Sequence, residues 1–100
     1  MDKKVWETVE ERSGGCCELC GNYWGAEKHH IVFGKGKREE HENEYSVINL
    51  CYEHHRGTWG VHGMHGHTLD IKLKQRLQKE YESQGYDEDE IRELMGGKLY

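Results

Sequence analysis

The sequence predicts a small α+β domain in which two short strands and their flanking helices are held together by a bound metal ion. Three observations lead there. Hydrophobic residues make up 34 % of the 100 positions and charged residues 33 %, and the mean hydropathy is −1.05, so any core is small. Chains of this size with thin cores commonly add a staple, either disulfides or a structural metal. Two short ligand pairs, Cys17-x-x-Cys20 and Cys51-x-x-His54, supply the means. Strand-like and helix-like segments then follow one another with no repeat and no internal boundary. One domain over residues 1–100 is expected, with a core at about 13–84 and an added acidic helix at 87–95.

Each element has a local reason. Residues 3–12, KKVWETVEER, suit a short helix because Val5 and Val9 fall four apart with Trp6 beside them, and the SGG that follows ends it. Cys17-x-x-Cys20-Gly21 has the shape of a tight knuckle. HHIVF (29–33) and YSVINLC (45–51) read as strands joined by a polar loop, GKGKREEHENE. Residues 68–84 form the clearest helix: Thr68 is placed to cap it, Asp70 suits its first turn, and Leu69, Leu73, Leu77 and Tyr81 repeat on one face. Gly85 stops that helix, and DEDEIRELM (87–95) makes a second, shorter one before the GGKLY tail.

The composition also bounds function. The opening residues lack the apolar stretch of a secretory leader, and no run is long enough to span a bilayer. A cytoplasmic protein with no membrane partner is therefore expected, and in a reducing compartment cysteine pairs favour zinc over disulfides. The net charge of −5 argues against coating nucleic acid by bulk electrostatics, though not against a local basic face.

Zinc in structural sites takes four tetrahedral nitrogen or sulfur ligands, and short Cys-x-x-Cys/His loops provide two at a time. Cys17, Cys20, Cys51 and His54 complete one such set. The glycines before Cys16 favour Cys17 as the partner of Cys20, which leaves Cys16 a free thiol unless the register slips by one residue and Cys16 takes its place. With His54 assigned, seven of the eight histidines remain. Adjacent strand residues point to opposite faces, so His29 and His30 can serve different partners, and His55 is fixed by the zinc ligand beside it. His41, in the acidic loop, reads as incidental.

The ordered series CELCG, KHHIVF and NLCYEHHRG resembles the zinc-stapled branch of the HNH endonucleases, the ββα-metal (His-Me finger) nuclease family, over residues 13–62. The resemblance implies a metal-dependent DNA endonuclease that hydrolyses phosphodiester bonds with one divalent ion, Mg2+, Mn2+, Ni2+ or Zn2+, alongside the structural zinc. Its runner-up is a zinc-stabilised nucleic-acid-binding module with little or no catalysis. Carried over residue by residue, it makes His29 and His55 metal ligands and His30 the general base. The stretch HRGTWGVHG is similar to a phage and Gram-positive branch and favours His62 as third ligand over His65 or His67. The family's base-orienting asparagine falls by count on Ser46 and by order on Asn49, and either is a candidate.

DNA is the implied partner. Lys35, Lys37 and Arg38 follow the base-bearing strand, Arg56 adjoins His55, and Lys72, Arg76 and Lys79 line the long helix opposite its leucines. Such residues hold a phosphate backbone without reading sequence. Low intrinsic specificity is expected, with a targeting protein or second subunit to direct cutting.

Overall fold

A computed structural model describes residues 1–34 and 36–100; Lys35, one of the expected DNA contacts, lies outside the described residues. The chain forms α1 (Lys3–Ser13), β1 (Glu27–His30), α2 (Lys37–Glu40), β2 (Val47–Leu50), α3 (Tyr52–His55), α4 (His67–Ser83) and α5 (Glu88–Leu94). Among the described residues, no helix is long and apolar enough to cross a membrane.

The first helix starts where Asp2 accepts hydrogen bonds from the N–H groups of Lys4 and Val5, and ends where Gly14 turns left-handed at φ +62°. It lies against one face of the sheet. Val9 is fully buried, the Glu10 carboxylate accepts from Lys28 of β1, and the Lys28 ammonium sits 4.1 Å from the centre of the Trp6 ring.

β1 and β2 pair antiparallel, with Glu27 opposite Leu50 and His30 opposite Val47. Both strands are shorter than the apolar runs 29–33 and 45–51 suggest. Ile31 and Val32 turn into the core, the Ile31 N–H still donating to the Ser46 carbonyl at 2.8 Å, and Gly34, at φ +123°, turns the chain away. Before β2, the Asn43 side chain accepts from the N–H groups of Tyr45 and Ser46. This Asx turn occupies those two N–H groups.

Ile48 and Leu50, on the opposite sheet face from Lys28 and Asn49, belong to the same buried cluster as Leu73, Leu77 and Tyr81 of α4. α5, capped by a reciprocal Asp87–Glu90 box, adds Ile91 and Met95. The tail is docked rather than frayed: Gln78 accepts from the Tyr100 N–H at 2.6 Å and donates to its carbonyl at 3.0 Å.

Thr68 does not cap α4. The helix begins one residue earlier, with Gly66 at the cap position and no side-chain cap. Gly66 is wedged so tightly that a Cβ there would stand 2.1 Å from the Gly60 carbonyl oxygen, so no capping side chain fits. With glycine at the cap, the missing side chain costs only about 0.3 kcal/mol. Burying a leucine stabilises by about 1.5–3 kcal/mol, and Leu73 and Leu77 are both 2 % exposed. Packing therefore decides the helix.

Leu77→Ala should cost about 2–5 kcal/mol in urea unfolding of the metal-replete protein, with little change in the slope of the transition.

Candidate metal centre and histidine cleft

Cys17 and Cys20 come from the turn after α1, where the Cys17 N–H donates to the Asn22 carbonyl and the Gly21 N–H to that of Cys17. Cys51 and His54 come from the entry and body of α3. The Glu18 N–H donates to the Asn49 carbonyl and Tyr52 N–H to that of Trp24, which locks the knuckle to the second pair. All four ligand atoms lie within 4.8 Å of one another. His54 Nδ1 is 3.5 Å from Cys17 Sγ and 3.3 Å from Cys51 Sγ, and the Cys20 and Cys51 sulfurs are 3.7 Å apart.

A tetrahedral zinc with Zn–S of about 2.3 Å and Zn–N of about 2.0 Å has edges of about 3.5–3.8 Å, whereas disulfide sulfurs stand about 2 Å apart. The spacing suits a shared ion and not a disulfide. These four residues are positioned to bind a metal such as zinc, as their spacing in the sequence predicts. Burial raises the Cys17 thiol, but backbone N–H groups of Cys51, Leu19 and Cys20 outweigh it and bring it down to about 7. That favours the thiolate a metal takes. The Cys16 thiol points elsewhere, 3.7 Å from the Gly14 carbonyl.

A second cluster lies one peptide bond away. His29, His55 and His62 also bring their ligand atoms within 4.8 Å of each other. Ring centres are 5.3 Å apart for His29–His55, 5.1 Å for His29–His62 and 4.8 Å for His55–His62. His55 arrives on α3. The return loop brings His62 by donating the His62 N–H to the His55 carbonyl at 2.9 Å, while the Val61 N–H donates to that of His54. Only glycine permits this path at position 63, where a Cβ would fall 1.8 Å from the Gly57 carbonyl oxygen.

His29 is 3 % exposed, and its Nε2 has no hydrogen-bond partner among the described residues. Burial, with the nearby His55 and His62 rings, pushes its pKa down to about 3. The ring is therefore neutral at physiological pH, with a lone pair available. His55 Nδ1 lies 3.3 Å from Glu27 Oε1, and Arg56 Nε donates to the same oxygen at 2.9 Å. The Arg56 bond holds the Glu27 carboxyl below the usual carboxylate range. A charged Glu27 thus fixes the His55 ring and leaves its Nε2 for another partner, the outer-sphere arrangement common behind metal-bound imidazoles. Phe33 walls the cluster, its ring 5.8 Å from His29 and 6.0 Å from His62. The Lys74 ammonium sits 4.5 Å from the centre of the Phe33 ring.

A cleft of about 150 Å³ is lined by residues 27–30 of β1 with Arg38, His55, Arg56 and His62. Four consecutive strand residues alternate faces, so the cleft runs along the free edge of β1. That geometry lets His29 and His30 line one space although their side chains leave opposite faces. His30 Nε2 is 2.7 Å from Glu42 Oε1. Burial raises the Glu42 carboxyl, but the His30 contact and the Asp2 N–H outweigh it, leaving it below its ordinary value.

Neither expected base-orienting residue reaches His30. Asn49 donates to the Cys16 carbonyl at 3.0 Å and to Ser13 Oγ at 3.3 Å, because its strand face is covered by the end of α1. The Ser46 hydroxyl lies within bonding reach of the His41 and Asn43 carbonyls and accepts from the Asn43 N–H. Among the expected DNA contacts, Arg38 and Arg56 line the cleft, and Arg56 is already paired with Glu27. Lys37 packs beside Val32 and Gly96. Lys72, Arg76 and Lys79 are exposed on α4, outside the cleft lining. His65 packs its ring 4.7 Å from Trp59, His67 opens α4, and His41 lies 3.9 Å from Glu40.

Two partners had no motif to mark them. Glu27 could have been found, since it stands two residues before His29 and so on the same strand face. Glu42 gave no signal, because a glycine-bearing loop separates it from His30.

Comparisons with protein-family models, curated proteins and solved structures find no match to the chain.

In native protein, thiol titration should find about one reactive cysteine, Cys16, rising to all 4 after chelation in denaturant, because metal-held thiolates are shielded. Cys20→Ser should fail to fold by circular dichroism, because metal binding energy is folding energy in such sites.

Proposed function

We propose that the chain is a metal-dependent DNA endonuclease of the HNH type, with the ββα-metal arrangement formed by β1, β2 and α3. The observation that carries this reading is the buried, unpartnered His29 Nε2 inside a three-histidine cluster that shares one cleft with a separate, carboxylate-held histidine. An imidazole nitrogen buried without a partner costs about 1–3 kcal/mol, and a cation resolves that cost.

His29, His55 and His62 would hold the ion. Three neutral imidazoles suit zinc or nickel better than magnesium, which prefers oxygen ligands. When bound, the ion supplies positive charge that stabilises the leaving oxygen of a phosphodiester. The protein's own groups perform the rest. His30 takes the proton from the attacking water, as an imidazole near neutrality can. Glu27 keeps the His55 ring oriented. Arg38 at the cleft offers a charge to the DNA backbone, and Lys72, Arg76 and Lys79 extend that contact along α4. Arg56 reaches a phosphate by exchanging its bond to Glu27. With so few cations on an acidic chain, binding is modest and falls as salt rises. Low sequence specificity, a targeting protein or second subunit, a phage-related role and a cytoplasmic setting complete this reading.

A second reading, a zinc-stabilised nucleic-acid-binding module without catalysis, draws on the engagement of Asn49 by Ser13 and Cys16 and of Arg56 by Glu27.

Supercoiled plasmid incubated with the protein and magnesium, manganese, nickel or zinc separates the two. The nuclease should nick it, and His30→Ala should reduce nicking by about 10²–10⁴-fold while DNA binding by gel shift is retained. No nicking with any of the ions at protein excess would sink the enzyme reading, and DNA binding alone, unchanged by His30→Ala, would favour the module.

A further inference from the structure

We infer that Glu42 is the positioning residue for His30, holding its ring with the proton on Nε2 and the lone pair on Nδ1. The inference rests on the reading of His30 as a base and names what orients it.

Glu42 reaches His30 with one carboxylate oxygen at 2.7 Å and accepts the Asp2 N–H with the other at 2.8 Å. The two side chains are 8 % and 17 % exposed, so little water competes for the contact. The Asp2 amide belongs to the cap of α1, and the helix thereby fixes the carboxylate that fixes the ring. An ionised carboxylate only accepts hydrogen bonds. The hydrogen shared with a neutral imidazole must then sit on Nε2, and the basic lone pair is left on Nδ1.

Other candidates are occupied. The Asn49 amide is spent on Cys16 and Ser13, and the Ser46 hydroxyl on the backbone of residues 41 and 43. A carboxylate also does the task more firmly than an amide, since a charge-assisted hydrogen bond is roughly twice as strong as a neutral one.

The test is a nitrogen-15 long-range correlation spectrum of the histidine rings in the zinc-loaded full chain, above the ordinary histidine titration range. The His30 signals are assigned by their loss in His30→Gln. Wild-type His30 should show the Nε2–H tautomer, and Glu42→Ala should turn it into a mixture. In the nicking assay, Glu42→Ala should lower turnover about 100-fold, as misplacement of a reacting group does, with KM for plasmid changed less than about two-fold. An Nδ1–H tautomer in the wild type, or a tautomer unmoved in Glu42→Ala, would overturn the inference. Should Glu42→Ala not fold, the wild-type spectrum alone decides. Absence of nicking by the wild type would instead count against the nuclease reading and leave the tautomer result standing.

Discussion

The rest of the structure depends on one constraint: the knuckle after α1 and the turn entering α3 must be held at ligand distance. Cys17, Cys20, Cys51 and His54, positioned to share a metal ion, can do this at one end of a two-stranded sheet, where Glu27 pairs with Leu50, that could not persist alone. Structural zinc contributes roughly 10–16 kcal/mol in small modules, as much as the roughly 5–15 kcal/mol by which whole domains are stable. The apolar contacts between the sheet and α4 are real but modest beside it. Because His55 follows His54 directly, whatever fixes the first fixes the second, and the histidine cluster inherits its rigidity from the staple.

Most of the architecture could be read from the residues. The α4 stripe, the glycine that ends α1 and the acidic start of α5 are local signals, each acting within a turn or two of chain, and they locate their helices to within a residue or so. The four staple ligands were legible because metal geometry restricts spacing. The strand ends were not, since β1 stops where Ile31 is drawn beneath α4 and β2 starts where Asn43 finishes a turn. A tertiary contact at the first place and a local Asx turn at the second override a run of apolar residues. The start of α4 failed for a related reason: the close approach of Gly66 to Gly60 has no expression in helix propensity.

The candidate site divides in the same way. His29, His30, His55 and His62 stand out by their density, and the structure brings three of them together with the fourth in the same cleft. Of their carboxylate partners, Glu27 is readable from its place two residues before His29, whereas only folding distinguishes Glu42 from the chain's other glutamates. Asn49 shows the converse. A residue that fits a motif by order is spent on the end of α1, because strand pairing puts it across from Lys28 rather than His30.

The return loop that delivers His62 has a consequence for sequence variation. Its turns stack so closely that carbonyl oxygens of residues 53, 57 and 60 occupy the volume where side chains at 57, 60, 63 and 66 would begin. Every third position is thus barred to nineteen of the twenty amino acids by geometry, whether or not the histidines are used. A G-x-x-G-x-x-G-x-x-G signature following the last staple ligand is the trait by which proteins sharing this backbone path could be picked out, even after their imidazoles had been replaced.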